Sequence, residues 1–244
     1  KSIGVVEGGP DAIIDGLLDA VGVSGTVAVP TLCNWKPEQK HLVFEQWDPN
    51  TSPSYVGAIT EIFRKRPEAL RSDHATHSVA AIGARARELT ENHGAFGERP
   101  GPFGGKAFAG ESPWQKFYDW NAAYCFIGVN FRVNTMLHYV ETLVVERALA
   151  RCPAEEQAMR REEVAGWMKP GVWPSVSLAD REAIEALLTE KGIVRVGKLG
   201  AAAFRCARTR PMIDEWLEIV ERAPGRWFPP VYCYMDWLGK IESN

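Results

Sequence analysis

YCFIGVNFRVNTMLHYVE, residues 124–141, begins as an apolar strand and continues as the first turns of a helix. A helix that follows closely on a strand is typical of α/β proteins. Helical and strand-like patterns also alternate along the rest of the chain, so the sequence predicts the α/β class with a layered sheet.

Local patterns elsewhere in the chain, and over its buried strand, support this class. Residues 10–21 place apolar side chains at helical spacing, with Pro10 in the first turn. Residues 26–32 predict a strand, and residues 122–129 predict a buried one. Ser177 is the predicted N-cap of a helix that ends near Gly192. Two predicted strands then form a pair, residues 193–199 and 202–209.

Composition limits the function classes. The chain has 244 residues and is 45% hydrophobic, enough for a sizeable core. We expect a single domain over residues 1–244, in which residues 151–193 form a helical, insertion-like segment. A net charge of −3 argues against nucleic acid as a partner, and the absence of a run of about 18 apolar residues argues against a membrane span.

The five cysteines are widely spread and include no CxxC pair. Neither a disulfide framework nor a zinc knuckle is indicated. This usage favours a reducing, intracellular compartment, so the expected location is cytoplasmic, as a monomer or a homodimer.

His138 and Glu141 lie three residues apart at the opening of the predicted helix. Positions i and i+3 share a helix face, so the two side chains are predicted neighbours. A carboxylate beside an imidazole orients one ring nitrogen and raises the basicity of the other, as in a general base. The alternative is a half-buried structural histidine that the glutamate satisfies.

A second polar cluster lies in RSDHATHSVAAIG, residues 71–83. His74 and His77 precede a short apolar strand and are interleaved with hydroxyl side chains. They predict either a binding site or simply the polar start of a strand. Together with His138 and Glu141 they could also ligate zinc in a metal-dependent hydrolase, although the spacing fits none of the familiar ligand signatures.

Six runs of the sequence together resemble the antibiotic N-acetyltransferases typified by aminoglycoside 3-N-acetyltransferase, in that family's order. They cover most of residues 1–150, and the later residues match more loosely. The runs are VEGGPDAIIDGLLDAVG, GTVAVPTL, WDPNTSPSYVGAITEIFRKRPEALRS, HATHSVAAIG, GESPWQKFYD and FIGVNFRVNTMLHYVE.

The resemblance implies a fold particular to this family, layered as α/β/α around a central mixed sheet, and acetyl-CoA as co-substrate with no metal. It implies that His138 is the general base with Glu141 as its partner, and that Asn134 and Thr135 shape the same site. The residues implied to line the acyl-CoA channel are His74, Thr76, His77, Ser78 and Ser112.

Two departures from the family pattern stand out. Ala75 occupies the position after the first histidine, where the family usually has proline. Family members also begin with a strand that ends in a His-Ser-Ser-type turn, ahead of the position of Lys1. We expect that such a strand exists upstream of the numbered chain, or is cleaved or disordered.

The implied reaction is direct acetyl transfer to a small-molecule amine, either an aminoglycoside 3-amino group or a related small amine; a catalytically silent CoA-binding relative is the remaining alternative. Residues 34–55 and 97–110 are the predicted walls of the acceptor cleft. Glu45, Asp48 and Asp73 would bind a polycation. The same region is also aromatic, which would suit a flatter amine; these side chains are Trp35, Phe44, Trp47 and Tyr55.

Overall fold

The computed structural model describes residues 2–33, 45–101, 103–168 and 176–227 (the described residues). The chain divides into two compact units. The N-terminal unit comprises Val5–Glu98 and Gly105–Lys116, and the C-terminal unit comprises Lys1–Gly4, Arg99–Gly104 and Phe117–Asn244. That residues 1–244 act as one domain stays a prediction.

The N-terminal unit is built on a three-stranded antiparallel sheet of order β1-β3-β2. Its core brings apolar residues of α1 and α2 against β3, and contains Ile14, Phe63, Ala80 and Ile82. The elements are α1 (Gly9–Val21), β1 (Thr26–Pro30), α2 (Ala58–Arg64), β2 (Leu70–Arg71), β3 (Val79–Gly83) and α3 (Ala86–Thr90). A further helix, α4 (Pro113–Asp119), begins in this unit.

The C-terminal unit contains a second antiparallel sheet, of order β4-β6-β5. A stack of Phe126, Phe131 and Trp216 connects this sheet to the helices, with ring centroids 4.9 and 5.7 Å apart. The elements are β4 (Ala123–Ile127), a 3-10 turn (Phe131–Val133), α5 (Met136–Arg151), α6 (Ala154–Trp167), α7 (Leu178–Glu190), β5 (Arg195–Leu199), β6 (Ala202–Arg208), α8 (Thr209–Arg222) and α9 (Pro224–Trp227).

The α/β class is confirmed, and the strands differ from the expected arrangement in one respect. All four strand pairs among the described residues are antiparallel and fall into two three-stranded sheets, where one central mixed sheet was expected. One pair, β5 and β6, is joined by only Gly200 and Ala201, and connections this short are available only to antiparallel neighbours.

The expected burial of residues 122–129 is wrong, because only Phe126 is buried there. β4 pairs with a single strand among the described residues, so it lies at the edge of its sheet. β5, at the other edge, has every side chain exposed. Apolar composition alone does not reveal which strands a sheet leaves at its margin.

Two local predictions in the C-terminal half are confirmed. Ser177 caps α7, since its Oγ accepts a hydrogen bond from Asp180 N at 3.1 Å. The predicted strand pair is β5 with β6. Within residues 151–193 the structure has two helices, α6 and α7, while residues 169–175 lie outside the described part of the chain.

None of the helices in the described ranges is both long enough and apolar enough to cross a membrane.

Position 83 should accept only glycine without destabilising the N-terminal sheet. Its φ of +127° is rarely adopted by other residues, and a Cβ there would lie 2.2 Å from Gly25 O. We expect Gly83→Ala to lower the free energy of unfolding by about 3 kcal/mol. Gly16→Ala is the control, because a Cβ there meets nothing within 4 Å and should be neutral or stabilise α1 by up to about 1 kcal/mol. Equal urea midpoints for the two variants would contradict this.

Candidate functional site

The first turn of α5 is fixed from both sides. Phe131, fully buried against Trp216, anchors the preceding turn. Asn134 then directs the chain into the helix, because its Oδ1 accepts a hydrogen bond from Met136 N at 3.0 Å. The side chain of Asn134 is buried, and its Nδ2 has no hydrogen-bond partner among the described residues. A buried amide donor therefore lies one turn before His138.

His138 and Glu141 make the contact that their spacing predicts. His138 Nδ1 lies 2.7 Å from Glu141 Oε2, with the Glu141 side chain fully buried and that of His138 15% exposed. An ionised carboxylate can only accept hydrogen bonds, so the proton of a neutral imidazole is assigned to Nδ1. Nε2 then carries the lone pair, which is the atom that a general base uses.

Two other residues of the C-terminal unit approach this pair. The ring of Phe103 packs edge-on against the His138 imidazole at 4.8 Å. Arg181, on α7, donates to Val176 O at 3.1 Å and Arg132 O at 2.8 Å. Burial lowers the pKa of Arg181, and the charge of Glu141 acts in the opposite direction. Arg181 nevertheless stays cationic, so a positively charged side chain on α7 interacts with the Glu141 carboxylate.

The predicted channel residues lie in the N-terminal unit and are tied together by internal hydrogen bonds. His77 N donates to His74 Nδ1 at 3.1 Å, and His77 Nδ1 lies 2.9 Å from Thr76 Oγ1. Ser78 Oγ donates to Thr31 O at 2.9 Å. All four predicted side chains of this run, at positions 74 and 76–78, are buried.

A third histidine, which sequence reasoning missed, completes this cluster. His93 stacks on His74 with ring centroids 4.9 Å apart. Its Nδ1 lies 2.9 Å from Ser72 Oγ and its Nε2 lies 3.2 Å from Ala107 O. Since a carbonyl only accepts, Nε2 carries the proton and Nδ1 accepts from Ser72. No local spacing links His93 to the others, because it reaches them only through the fold.

Burial governs the protonation of two of these rings. It lowers the pKa of His74 to about 4. It lowers the pKa of His93 to about 3, with a further contribution from the neighbouring His74. Both rings are therefore neutral at pH 7, which agrees with the hydrogen bonds that they make.

Ser112, the remaining predicted channel residue, is buried and accepts a hydrogen bond from Gln115 N at 3.2 Å in the first turn of α4. A binding role for it, as for the other channel residues, stays a prediction.

One of the predicted acceptor carboxylates, Asp73, is linked to Arg71 through the side chain of Trp47. The Arg71 guanidinium stacks 4.5 Å from the Trp47 ring, and Trp47 Nε1 donates to Asp73 Oδ1 at 2.6 Å. Glu45 and Asp73 are exposed. Asp48 Oδ1 accepts a hydrogen bond from Asn50 N at 2.7 Å, and this bond lowers the pKa of the Asp48 carboxyl. All three carboxylates belong to the N-terminal unit.

The structure thus brings His138, Glu141 and Asn134 together in the C-terminal unit, and the channel and acceptor residues together in the N-terminal unit. Trp35 and Phe44 lie outside the described residues. Within the described ranges, no group of three or more His, Cys, Asp or Glu side chains is arranged to hold a metal ion, so the hydrolase alternative gains no ligand set here.

Relatives of known activity resemble most of this chain. Aminoglycoside N(3)-acetyltransferase VII of Streptomyces paromomycinus is 28% identical over 92% of this chain and 86% of its own length. Aminoglycoside N(3)-acetyltransferase III of a Salmonella species is 30% identical over 76% of this chain, which spans 66% of that relative's length.

Solved structures share the fold. AAC-IIIb, in a binary complex with CoASH, superposes with a TM-score of 0.63 at 18% identity, over 93% of this chain and 87% of that one. AAC-VIa bound to sisomicin has a TM-score of 0.64 at 24% identity, over 89% of this chain and 87% of that one.

The names of the relatives in sequence define the class of protein as an acyltransferase. A family model described as aminoglycoside 3-N-acetyltransferase matches residues 1–221. The chain belongs to the aminoglycoside 3-N-acetyltransferase family.

The buried histidines should make folding stability depend on pH. Because the folded-state pKa values of His74 and His93 lie below the unfolded value of 6.5, the unfolded chain binds more protons in acid. Their contribution is complete above pH 6.5 and is lost as pH falls through about 4. Each ring should add up to about 1.4 kcal/mol per pH unit to the slope in this window.

Urea unfolding of wild type and His93→Gln between pH 7 and 4.5 measures this. The variant should show a shallower slope, by up to about 1.4 kcal/mol per pH unit. Ile82→Val, which weakens the same core without removing a titrating group, should keep the wild-type slope. Equal slopes for His93→Gln and Ile82→Val would contradict the assignment.

Proposed function

We propose that this chain is an acetyl-CoA-dependent N-acetyltransferase that acetylates a primary amine, either the 3-amino group of an aminoglycoside or a related small amine. The observation that carries the proposal is the 2.7 Å contact between His138 Nδ1 and the buried carboxylate of Glu141. Family membership and the CoASH complex of AAC-IIIb support the choice of donor. The names of the relatives support the choice of acceptor.

His138 solves the main chemical difficulty of this reaction. A primary amine is protonated at neutral pH, with a pKa of about 10.4 for a lysine-like group, and must lose a proton to act as a nucleophile. The amine that has first released one proton to solvent attacks the thioester carbonyl, and as it does so a second N–H proton passes from its nitrogen to Nε2 of His138. The new C–N bond forms, the C–S bond breaks with its electron pair going to sulfur, and the imidazolium returns the proton to the CoA thiolate.

Glu141 has two effects on this base. Its hydrogen bond to Nδ1 holds the ring in the tautomer that leaves Nε2 free of a proton. Its charge also stabilises the imidazolium that forms during the reaction, and a buried carboxylate does so more strongly than one in water. A general base that is oriented by a third group is the usual arrangement for activating a nucleophile in enzymes.

The donor side of the proposal rests on the family resemblance. His74, Thr76, His77, Ser78 and Ser112 are the proposed wall of the acyl-CoA channel. Their side chains already make hydrogen bonds within the N-terminal unit, which supports a preorganised wall. Donors from residues 76–78 would stabilise the oxyanion of the tetrahedral intermediate.

The acceptor side has three supports. The N-terminal unit presents the exposed carboxylates of Glu45 and Asp73, with Asp48 held in a turn beside them. Phe103, from the glycine-rich segment 97–110, packs on the proposed base. The buried Nδ2 of Asn134 is a further donor that a substrate hydroxyl or carbonyl would satisfy.

Replacement of the base should separate turnover from donor binding. We expect His138→Ala to lower the rate of acetyl transfer by about 10²–10⁴-fold, while calorimetry shows acetyl-CoA affinity within about threefold of wild type. Glu141→Gln should cost less, because an amide still occupies the site but no longer stabilises the imidazolium. Acetylation is followed by thiol release from CoA.

Glu218→Gln is the control, since this exposed glutamate on α8 pairs only with Arg222 in the described contacts, and it should match wild type. Wild-type turnover in His138→Ala would refute the base assignment. Acetyl-CoA binding without transfer to any amine of a broad panel would instead identify a catalytically silent relative.

The acidic residues should set the preference for polycations. We expect Glu45→Gln combined with Asp48→Asn to raise the Michaelis constant for a kanamycin-like aminoglycoside by roughly 3–10-fold, with little change in turnover at saturation. The effect should shrink with added salt. Asn at position 48 retains the oxygen that accepts from Asn50 N, so the turn itself should persist.

The control is Glu68→Gln, which removes another exposed carboxylate of the same unit. A panel that runs from aminoglycosides to monoamines gives the result. Reaction of monoamines alone, with the double variant equal to wild type, would overturn the aminoglycoside preference and leave acetyl transfer in place.

A further inference from the structure

Two cysteines face each other directly across the second sheet. In the antiparallel register of β4 and β6, Cys125 is the partner of Cys206. On the same register Gly128 N donates to Ala203 O at 2.8 Å, so that pair is hydrogen-bonded. Hydrogen-bonded and non-hydrogen-bonded pairs alternate along an antiparallel ladder. Cys125 lies three positions from Gly128, so the cysteine pair is a non-hydrogen-bonded one.

The type of pair sets the distance between the two cysteines, and so decides whether a disulfide can form between them. In non-hydrogen-bonded pairs the Cα atoms are about 4.5 Å apart and the side chains lie closest. That separation falls within the range of about 4.4–6.8 Å that disulfides occupy. The two Sγ atoms are in fact already in contact, at 3.4 Å. A covalent bond between them would need little movement of the backbone.

The pair is also accessible. Cys125 is exposed and Cys206 is partly exposed. The other cysteines of the described residues have different surroundings: Cys152 is buried and points its thiol at Ala148 O, and the Cys33 thiol donates to Pro53 O.

We propose that Cys125 and Cys206 are a redox-active dithiol that low-molecular-weight disulfides oxidise to a cross-strand disulfide. One thiolate attacks a small disulfide RSSR, forms a mixed disulfide and releases RS⁻. The second thiolate then attacks the protein sulfur of that mixed disulfide and releases the other RS⁻. The two cysteines are oxidised, RSSR is reduced to two thiols, and a small thiol in excess reverses the reaction.

The surroundings of the two thiols affect the rate of this thiol–disulfide exchange. Although Cys125 is exposed as a residue, neighbouring atoms partly desolvate its thiol and raise the pKa of that thiol, and the contact with Cys206 raises it further. The Cys125 thiolate is therefore scarce at neutral pH, which slows attack by this sulfur atom.

The disulfide would act as a staple on the C-terminal unit. It closes a loop from residue 125 to residue 206, and constraint of the unfolded chain by a loop of this length stabilises the folded state. β4 leads through the turn at 131–133 into the helix that carries His138, so the joined strand is the one that supports the proposed base. The expected rise in melting temperature is roughly 5–15 °C.

The test uses the full chain, incubated overnight at pH 8 with oxidised glutathione or with dithiothreitol. Trypsin cleaves after Lys116, Arg132, Arg205 and Arg208, so the crosslink joins peptides 117–132 and 206–208. We expect mass spectrometry to find this linked pair in the oxidised sample and to lose it on reduction. Thiol titration of the denatured protein should show two fewer free thiols, and the melting temperature should rise as stated.

Three variants make the result specific. Cys125→Ser and Cys206→Ser should each lose both the crosslink and the oxidant-dependent thermal shift, and Cys152→Ser should keep both. Glutathione adducts without the 117–132 to 206–208 crosslink would overturn the proposal. The same thermal shift in Cys125→Ser would do so as well, and a crosslink with no thermal shift would overturn the stabilising role.

Discussion

The hydrogen bond between His138 and the buried carboxylate of Glu141 is the interaction around which the C-terminal unit is organised. An ionised carboxylate without solvent is tolerated only when hydrogen bonds and positive charge compensate for the lost hydration. His138 supplies one hydrogen bond and Arg181 supplies the charge. His138 lies on α5 and Arg181 lies on α7. The environment of the Glu141 carboxylate therefore depends on where the fold places these two helices.

A related constraint operates in the N-terminal unit, where Arg71 is the central residue. Its guanidinium donates to Thr31 Oγ1 at 3.0 Å, to Ser78 Oγ at 3.2 Å and to Pro49 O at 3.2 Å. A planar group with five donors can bind several oxygens at once, and here it connects the loop around Pro49 to strand β3. Arg71 thus satisfies several buried oxygen atoms of the described part of this unit, and such networks make a surface rigid.

Local patterns in the sequence were sufficient for some features of the structure. The i, i+3 spacing of His138 and Glu141 predicted their contact, and the cap at Ser177 followed from the same short-range geometry. His93 and Arg181 were not predictable in this way, because each reaches its partners through tertiary packing. The burial of residues 122–129 was misjudged for the same reason, since strand order is a property of the whole sheet.

The contact between Cys125 and Cys206 shows the same limit in another form. The widely spaced cysteines indicated no disulfide framework, and a reducing compartment was the natural expectation from the sequence. Only the strand register, which is a long-range property, reveals that two of these thiols are opposite each other. Register depends on which faces of the strands are buried, so the pairing follows from the core of the unit rather than from any cysteine motif.

The exposed edge strand β5 has a consequence for behaviour at high protein concentration. Open strand edges can recruit strands from other molecules and start aggregation. All five residues of β5 are exposed, and Arg195 and Lys198 place positive charge along the strand, with Gly197 between them. Lysine and arginine on an edge repel a second copy of the same strand, and glycine weakens its tendency to extend a ladder. The composition of β5 therefore opposes association of two molecules through this edge of the sheet, and so favours colloidal stability of the protein in solution.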